Sequence, residues 1–227
     1  MSTFALILPA AGKSTRFGGV RSKVLETLVG QSVISRAIAP FLQHPKLAAV
    51  IIPCSDADSI REALGEKIDS RIVFCNGGAS RAHSVLEGLK RVPAHVDWVA
   101  VHDAARPLVS LPLIDSTLRT AQEHGAAVPA LAVHLTIKEA QGPLPAPVER
   151  TIPRQSLWAM QTPQITRRDW LLRAFDSCPL PLEQVTDDMQ LIELMGEKVW
   201  LVPGDERNLK ITTVMDLQLA GMWLSAS

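Results

Sequence analysis

Four segments, FALIL at 4–8, LAAVIIPC at 47–54, RIVFC at 71–75 and the WVAV of DWVAVHD at 97–103, are apolar at nearly every position. Neither face of such a strand can meet water, so both must be covered. Between them lie stretches of helical period. SVISRAIAPFLQH places Val33, Ile34, Ala37, Ile38 and Phe41 on one side. DADSIREALGEKI begins on acidic residues, SRAHSVLEGLKRV follows the third strand, and PLIDSTLRTAQEHG ends at Gly125. This alternation predicts an α/β fold: a Rossmann-like, three-layer α/β/α domain with a mostly parallel sheet. In such sheets ligands sit beyond the C-terminal ends of the strands.

The rhythm breaks near residue 133. HLTIKEA and VERTI flank a proline-rich turn, and two strands with so little apolar surface are not stable alone. We therefore expect one domain, 1–227, with a protruding β-arm at about 134–155 that packs on a second subunit, the alternative being a hairpin folded on its own domain. Beyond the arm, RRDWLLRAFDSC and TDDMQLIELMG read as helices, KVWLVPG as a strand, and LKIT with VMDLQLAGMWL as a closing strand–helix pair. The 23 basic and 23 acidic residues balance without any block of like charge, which argues against a general nucleic-acid binder. No apolar stretch approaches the roughly 18 residues of a membrane span, and the N-terminus lacks a basic leader region. Cys54, Cys75 and Cys178 show no metal spacing, and a cytoplasmic, reducing setting is expected.

Four loops fall where a site belongs. LPAAGKSTRFGG, at 8–19, carries a Gly-Lys-Ser-Thr resembling the end of a P-loop. That motif requires a further glycine five residues before its Gly, and this position is Ile7, inside the first strand. Gly12, Gly18, Gly19, Arg16 and Lys23 could still meet phosphate through backbone N–H groups and positive charge. NGGASRAHS offers a tight Gly77-Gly78 turn, which could lie against a flat base, and the Ser84 hydroxyl. VHDAARP sets Asp103 just past a strand, where a carboxylate can hold Mg²⁺, with Arg106 three residues on. VPGDERNLKIT carries Lys210 beside Asp205, Glu206 and Arg207. Together these residues suggest phosphate chemistry on a nucleotide, driven by positioning and charge neutralisation.

PAAGKSTRFGGVRSK resembles the signature loop of the sugar-phosphate nucleotidyltransferases. GGASRAHSVLEGL, VHDAARP, LWAMQTPQ, VTDD and NLKIT, in that order, resemble those members that act on 2-C-methyl-D-erythritol 4-phosphate. The resemblance runs from about residue 5 to residue 220. It implies a homodimeric cytidylyltransferase that joins CTP to methylerythritol phosphate in isoprenoid synthesis, releasing pyrophosphate, with Mg²⁺ as cofactor. A ribitol 5-phosphate cytidylyltransferase and a silent nucleotide-binding homologue are the alternatives. By the same resemblance Arg16, Lys23 and Lys210 are catalytic. Ala10, Ala11, Gly12, Gly78, Ala79 and Ser84 hold the nucleotide. Asp103 is the metal ligand and contacts substrate with Arg106, Thr186, Lys210 and the arm residues Thr136 and Arg154, which reach the neighbouring subunit's site. Ser22 stands where the family carries proline, and Arg207 where some members carry an acidic residue.

Overall fold

The structure is a computed structural model describing residues 2–12, 17 and 22–226. Its strands are β1 Phe4–Ile7, β2 Thr27–Leu28, β3 Gln31–Ser32, β4 Leu47–Cys54, β5 Ile72–Asn76, β6 Trp98–Val101, β7 Ala126–Ala132, β8 Ile137–Glu139, β9 Arg150–Ile152, β10 Trp158–Met160, β11 Gln164–Arg167 and β12 Trp200–Pro203. The helices are α1 Val33–Gln43, α2 Ala57–Leu64, α3 Arg81–Leu89, α4 Leu111–His124, α5 Arg168–Asp176, α6 Asp188–Leu194 and α7 Val214–Ser225.

Strand alternation divides the core into two layers. Phe4, Leu6 and Leu8 point to one face of the sheet, where α1, α2 and α4 bring Ile34, Ile38, Phe41, Ile60, Ile114 and Leu118. Ala5 and Ile7 point to the other, where α3, α5 and α6 bring Val85, Leu89, Leu171, Phe175 and Ile192. This is the three-layer arrangement expected from strands apolar on both faces. Apart from α5, the helices begin where capping residues satisfy one of their first N–H groups. Ser32, Asp56, Ser80, Ser110, Asp187 and Thr213 each accept a bond from a backbone N–H three residues on.

β5, β4, β1 and β6 run parallel in that order, so the chain moves outward from β1 in one direction and then returns to its other side. The crevice between the ends of β1 and β6 is the switch point at which such sheets bind ligands. Beyond β6 the sheet becomes mixed, because β11 inserts antiparallel between β6 and β7. Ala127 is paired with both Ile165 of β11 and Trp200 of β12, and Ala130 with both Met160 of β10 and Pro203 of β12. A strand has two edges, so β10 and β11 share one edge of β7, and Gln161–Pro163 links them along it.

The arm is present as a separate two-stranded ladder, pairing Ile137 with Ile152 and Glu139 with Arg150. Leu135 and Leu144, 77% and 84% exposed, give it apolar surface with no cover from its own chain. One expectation is corrected: Leu209–Thr212 joins no ladder. Its backbone is tied by Ile211 N–H donating to Ala105 O at 2.8 Å and by Thr212 N–H donating to Asp216. The segment is thus an extended strap beneath the crevice.

Candidate active site

A cleft of about 890 Å³ opens at the C-terminal ends of β1, β5 and β6. Ala10, Ala11, Gly12 and Lys23 line one side, Gly78, Ala79 and Ser84 another, and Asp103 and Lys210 the floor. Arg16 lies outside the described residues. Lys23 opens a short 3-10 turn behind Ser22, whose φ of −64° is the angle a proline ring would impose. The backbone at that position therefore matches the family's proline although the residue does not.

The Gly77-Gly78 turn is packed too closely to accept a side chain. A Cβ on Gly77 would stand 2.3 Å from Ala11 Cβ, and one on Gly78 would stand 2.3 Å from His83 Cβ. The turn is pinned from behind by Ser84, whose hydroxyl accepts from Gly78 N–H and donates to Ser80 O, both at 3.0 Å. We expect Gly77→Ala to push apart the two loops that face the cleft. Overpacking of this kind costs about 1–3 kcal/mol of stability, a fall of roughly 2–12 °C in melting temperature, and calorimetry should show weaker CTP binding as the loops part. Unchanged affinity would show that the turn does not shape the nucleotide site.

Asp103 is the electrostatic centre. Arg81 Nε lies 3.2 Å from its Oδ1, while Lys210 Nζ and Arg106 Nε lie 2.9 and 3.5 Å from Oδ2. Burial alone would raise this carboxyl's pKa, but Arg81, Lys210 and Arg106 override it and hold the group far below the usual range. It stays ionised at any physiological pH. An ionised carboxylate has about four lone-pair positions; Arg81 and Lys210 take two, while Arg106 Nε pairs by charge without a hydrogen bond. Among the described residues no cluster of three or more His, Cys, Asp or Glu could hold a metal unaided. Mg²⁺ is commonly held by one or two carboxylates plus substrate phosphates. The remaining lone pairs of Asp103 fit an ion that arrives on a triphosphate.

A buried polar ring fixes this centre from below. His102 Nε2 lies 3.2 Å from Arg106 O, a group that can only accept, so Nε2 carries the proton and Nδ1 accepts from the Thr162 hydroxyl at 2.9 Å. Thr162 in turn accepts from Asp103 N–H at 3.1 Å. Asn208 donates to Thr162 O at 2.8 Å and receives Arg106 Nη1 on its own carbonyl at 2.7 Å. Gln161 exchanges bonds with the backbone of Asp205. The turn that leads into the strap, Asp205–Asn208, is therefore tied to the β10–β11 link through the Gln161 side chain and the Thr162 carbonyl.

Burial drives His102 down to about 4, which keeps it neutral. Between that value and about 6.5 the unfolded chain takes up a proton that the folded one refuses, so stability falls as pH drops through this window. The shift corresponds to about 3 kcal/mol. Urea unfolding should show this loss in the wild type and a flatter dependence in His102→Gln. Parallel curves would refute the assignment.

The cleft brings together the proposed nucleotide residues, Lys23, Asp103 and Lys210, with Arg106 buried against Asp103. Thr186 stands outside it, exposed ahead of α6, with its hydroxyl donating to Gln190 Oε1 at 3.0 Å. Thr136 and Arg154 are exposed on the arm and line no part of this chain's cleft; Arg154 donates to His134 O. Sequence reasoning missed Arg81 and Asp188, which are joined at 2.7 Å, and the supporting roles of Gln161, Thr162 and Asn208. Arg81 did leave a trace, since a cation in the first turn of a helix opposes the macrodipole and calls for an anion.

A family model described as IspD, 2-C-methyl-D-erythritol 4-phosphate cytidylyltransferase, matches residues 4–226. A protein of that name from Gloeobacter violaceus is 38% identical over 219 residues, covering 95% of this chain and 93% of its own. The bifunctional enzyme IspD/IspF of Desulfotalea psychrophila is 38% identical over 226 residues, and this chain spans 57% of its length. The crystal structure of the Francisella tularensis 2-C-methyl-D-erythritol 4-phosphate cytidylyltransferase superposes with a TM-score of 0.84 at 29% identity, covering 97% of this chain and 99% of that one.

Proposed function

The chain belongs to the 2-C-methyl-D-erythritol 4-phosphate cytidylyltransferase family, and on that premise we propose that it is a nucleotidyltransferase joining CTP to methylerythritol phosphate. The observation that carries this reading is the cluster at Asp103. One permanently ionised carboxylate and the cations Lys210, Arg106 and Arg81 sit opposite a closely packed glycine turn. Such a floor accepts phosphate groups, and such a turn leaves room for a flat base but not for a side chain.

An oxygen of the alcohol phosphate attacks the α-phosphorus of CTP in line, forming the new P–O bond. The bridging α–β P–O bond breaks, and pyrophosphate leaves with the electron pair. Arg16 and Lys23 neutralise charge that grows on the α-phosphoryl oxygens, and Lys210 serves both substrates from the floor of the cleft. The backbone of Ala10, Ala11, Gly12, Gly78 and Ala79, with Ser84 behind it, reads the cytosine edge. Asp103 would hold Mg²⁺, which supplies Lewis-acid neutralisation of the triphosphate when bound. The family resemblance gives the alcohol phosphate to Arg106 and Thr186, which lie beside the cleft lining rather than in it.

Thr136 and Arg154 complete the site of a second copy, the arm at 134–155 serving as the two-fold contact. The exposed Leu135, Leu144, Trp158 and Met160 support this role for the arm and the adjoining sheet edge. Light scattering should give twice the 24.7 kDa chain mass, and a fully active monomer would remove the arm from the mechanism. A reducing, cytoplasmic setting suits the unpaired Cys54, Cys75 and Cys178; among the described residues no helix is long and apolar enough to cross a membrane.

Pyrophosphate release, measured with CTP and either methylerythritol phosphate or ribitol 5-phosphate, tests the reading. Turnover of the first is expected. Efficient turnover of ribitol 5-phosphate alone would overturn the assignment of the alcohol.

A further inference from the structure

Arg81 is one of the cations that line the cleft, and beyond that it bridges the central carboxylate to a second, buried one. It opens α3 directly after the Ser80 cap and spans two carboxylates, with Nε donating to Asp103 Oδ1 at 3.2 Å and Nη2 to Asp188 Oδ2 at 2.7 Å. Burial alone would lower the pKa of its guanidinium, but the two carboxylates override this and hold it charged. Asp188 is fully buried at the first position of α6, and its second oxygen, Oδ1, has no hydrogen-bond partner. Its backbone N–H donates to Gln164 Oε1 at 2.9 Å. Burial pushes the Asp188 carboxyl up, and the charge of Arg81 is the largest influence opposing it. A buried carboxylate in that position makes sense only as an anchor for this cation.

The contact ties together three parts of the cleft that are remote in sequence. Arg81 is continuous with the Gly77–Ser80 turn, Asp103 belongs to the β6 loop, and Asp188 lies two residues beyond Thr186. A guanidinium is a rigid planar fork, so a shift of one carboxylate is felt by the other. We propose that Arg81, anchored by Asp188, is a positioning residue that orients the Asp103 carboxylate for nucleotidyl transfer and couples it to the start of α6. This rests on the cytidylyltransferase reading and adds to it a connection between the nucleotide turn and the alcohol side.

Asp188→Asn tests the coupling, because it keeps the shape of a residue that does not line the cleft and removes only its charge. Supporting residues of this kind typically contribute 10–100-fold, so kcat with CTP and methylerythritol phosphate should fall by about that factor while KM for CTP stays within about threefold. Arg81→Gln should behave alike, and the double variant should be no worse than the poorer single one. Asp188→Asn with kcat within about twofold of wild type overturns the proposal. So do losses that multiply in the double variant, or a loss shared equally with CTP affinity. If Asp188→Asn does not fold, Arg81→Lys decides, since an ammonium cannot bridge both carboxylates. A selective fall in kcat is expected, and full kcat overturns the proposal. A wild type that turns over another alcohol phosphate instead overturns the substrate assignment, and the same variants then read the coupling with that alcohol.

Discussion

Asp103→Asn should lose both activity and stability, and the two losses have one cause. The substitution keeps the shape of the side chain but removes the charge that neutralises Arg81, Arg106 and Lys210. Arg81 retains Asp188, and Lys210, whose side chain is 37% exposed, can turn toward water. Arg106 cannot, because its side chain is only 11% exposed and its Nη1 is committed to Asn208 O. Removing one partner of a buried pair costs about 3–5 kcal/mol, and the escape open to Lys210 favours the lower figure. For a domain of this size that is a fall in melting temperature of roughly 6–12 °C. Activity should drop on the order of 10²–10³-fold, because the cation floor loses its geometry along with the group proposed to hold Mg²⁺. Calorimetry and pyrophosphate release on the same preparation check both. A melting temperature within about 2 °C of wild type with near-normal turnover would mean that Asp103 is not the centre of the site.

Lys23→Ala should be as damaging to turnover, through a loss confined to the transition state. Lys23 is half-buried on the wall of the cleft and belongs to neither core layer. Its charge is proposed to act on the α-phosphoryl oxygens, where negative charge accumulates only as the new bond forms. Groups aimed at developing charge contribute about 10²–10³-fold, so kcat should fall by that factor while KM for CTP changes much less. Stopped-assay kinetics over a CTP series separates the two constants. If KM rises and kcat is retained, Lys23 binds CTP equally in ground and transition states and is no transition-state clamp.

Much of this molecule was legible because its information is local. Apolar runs of strand length, helical spacing in segments such as Val33–Phe41, and Gly125 after α4 follow from backbone geometry, and the structure places those elements accordingly. Asp103 was legible for the same reason, since a residue just beyond a buried strand emerges at the mouth of the sheet. The Gly-Lys-Ser-Thr after β1 could be dismissed as a P-loop from spacing alone, because Ile7 occupies the required glycine position.

β7 and β11 were not legible. Ala126–Ala132 contains a proline and few β-branched residues, and Gln164–Arg167 is short, polar at both ends and preceded by Pro163. Both become strands because the sheet has edges to satisfy, which is a property of the assembled fold. LKIT fails to form a strand for the converse reason: its neighbours are already bound by Gln161, Thr162 and Arg106.

The sequence by itself determined the layered sheet, the mouth at which ligands meet it and the chemical types gathered there, since each depends on residues a few positions apart. Only the tertiary structure decided which cations surround Asp103, how His102 is protonated, and that Arg81 is anchored by Asp188, 107 residues away. Charges pair through space at about 3 Å, and nothing in the spacing along a chain tells a partner from a bystander until the strands have brought them together.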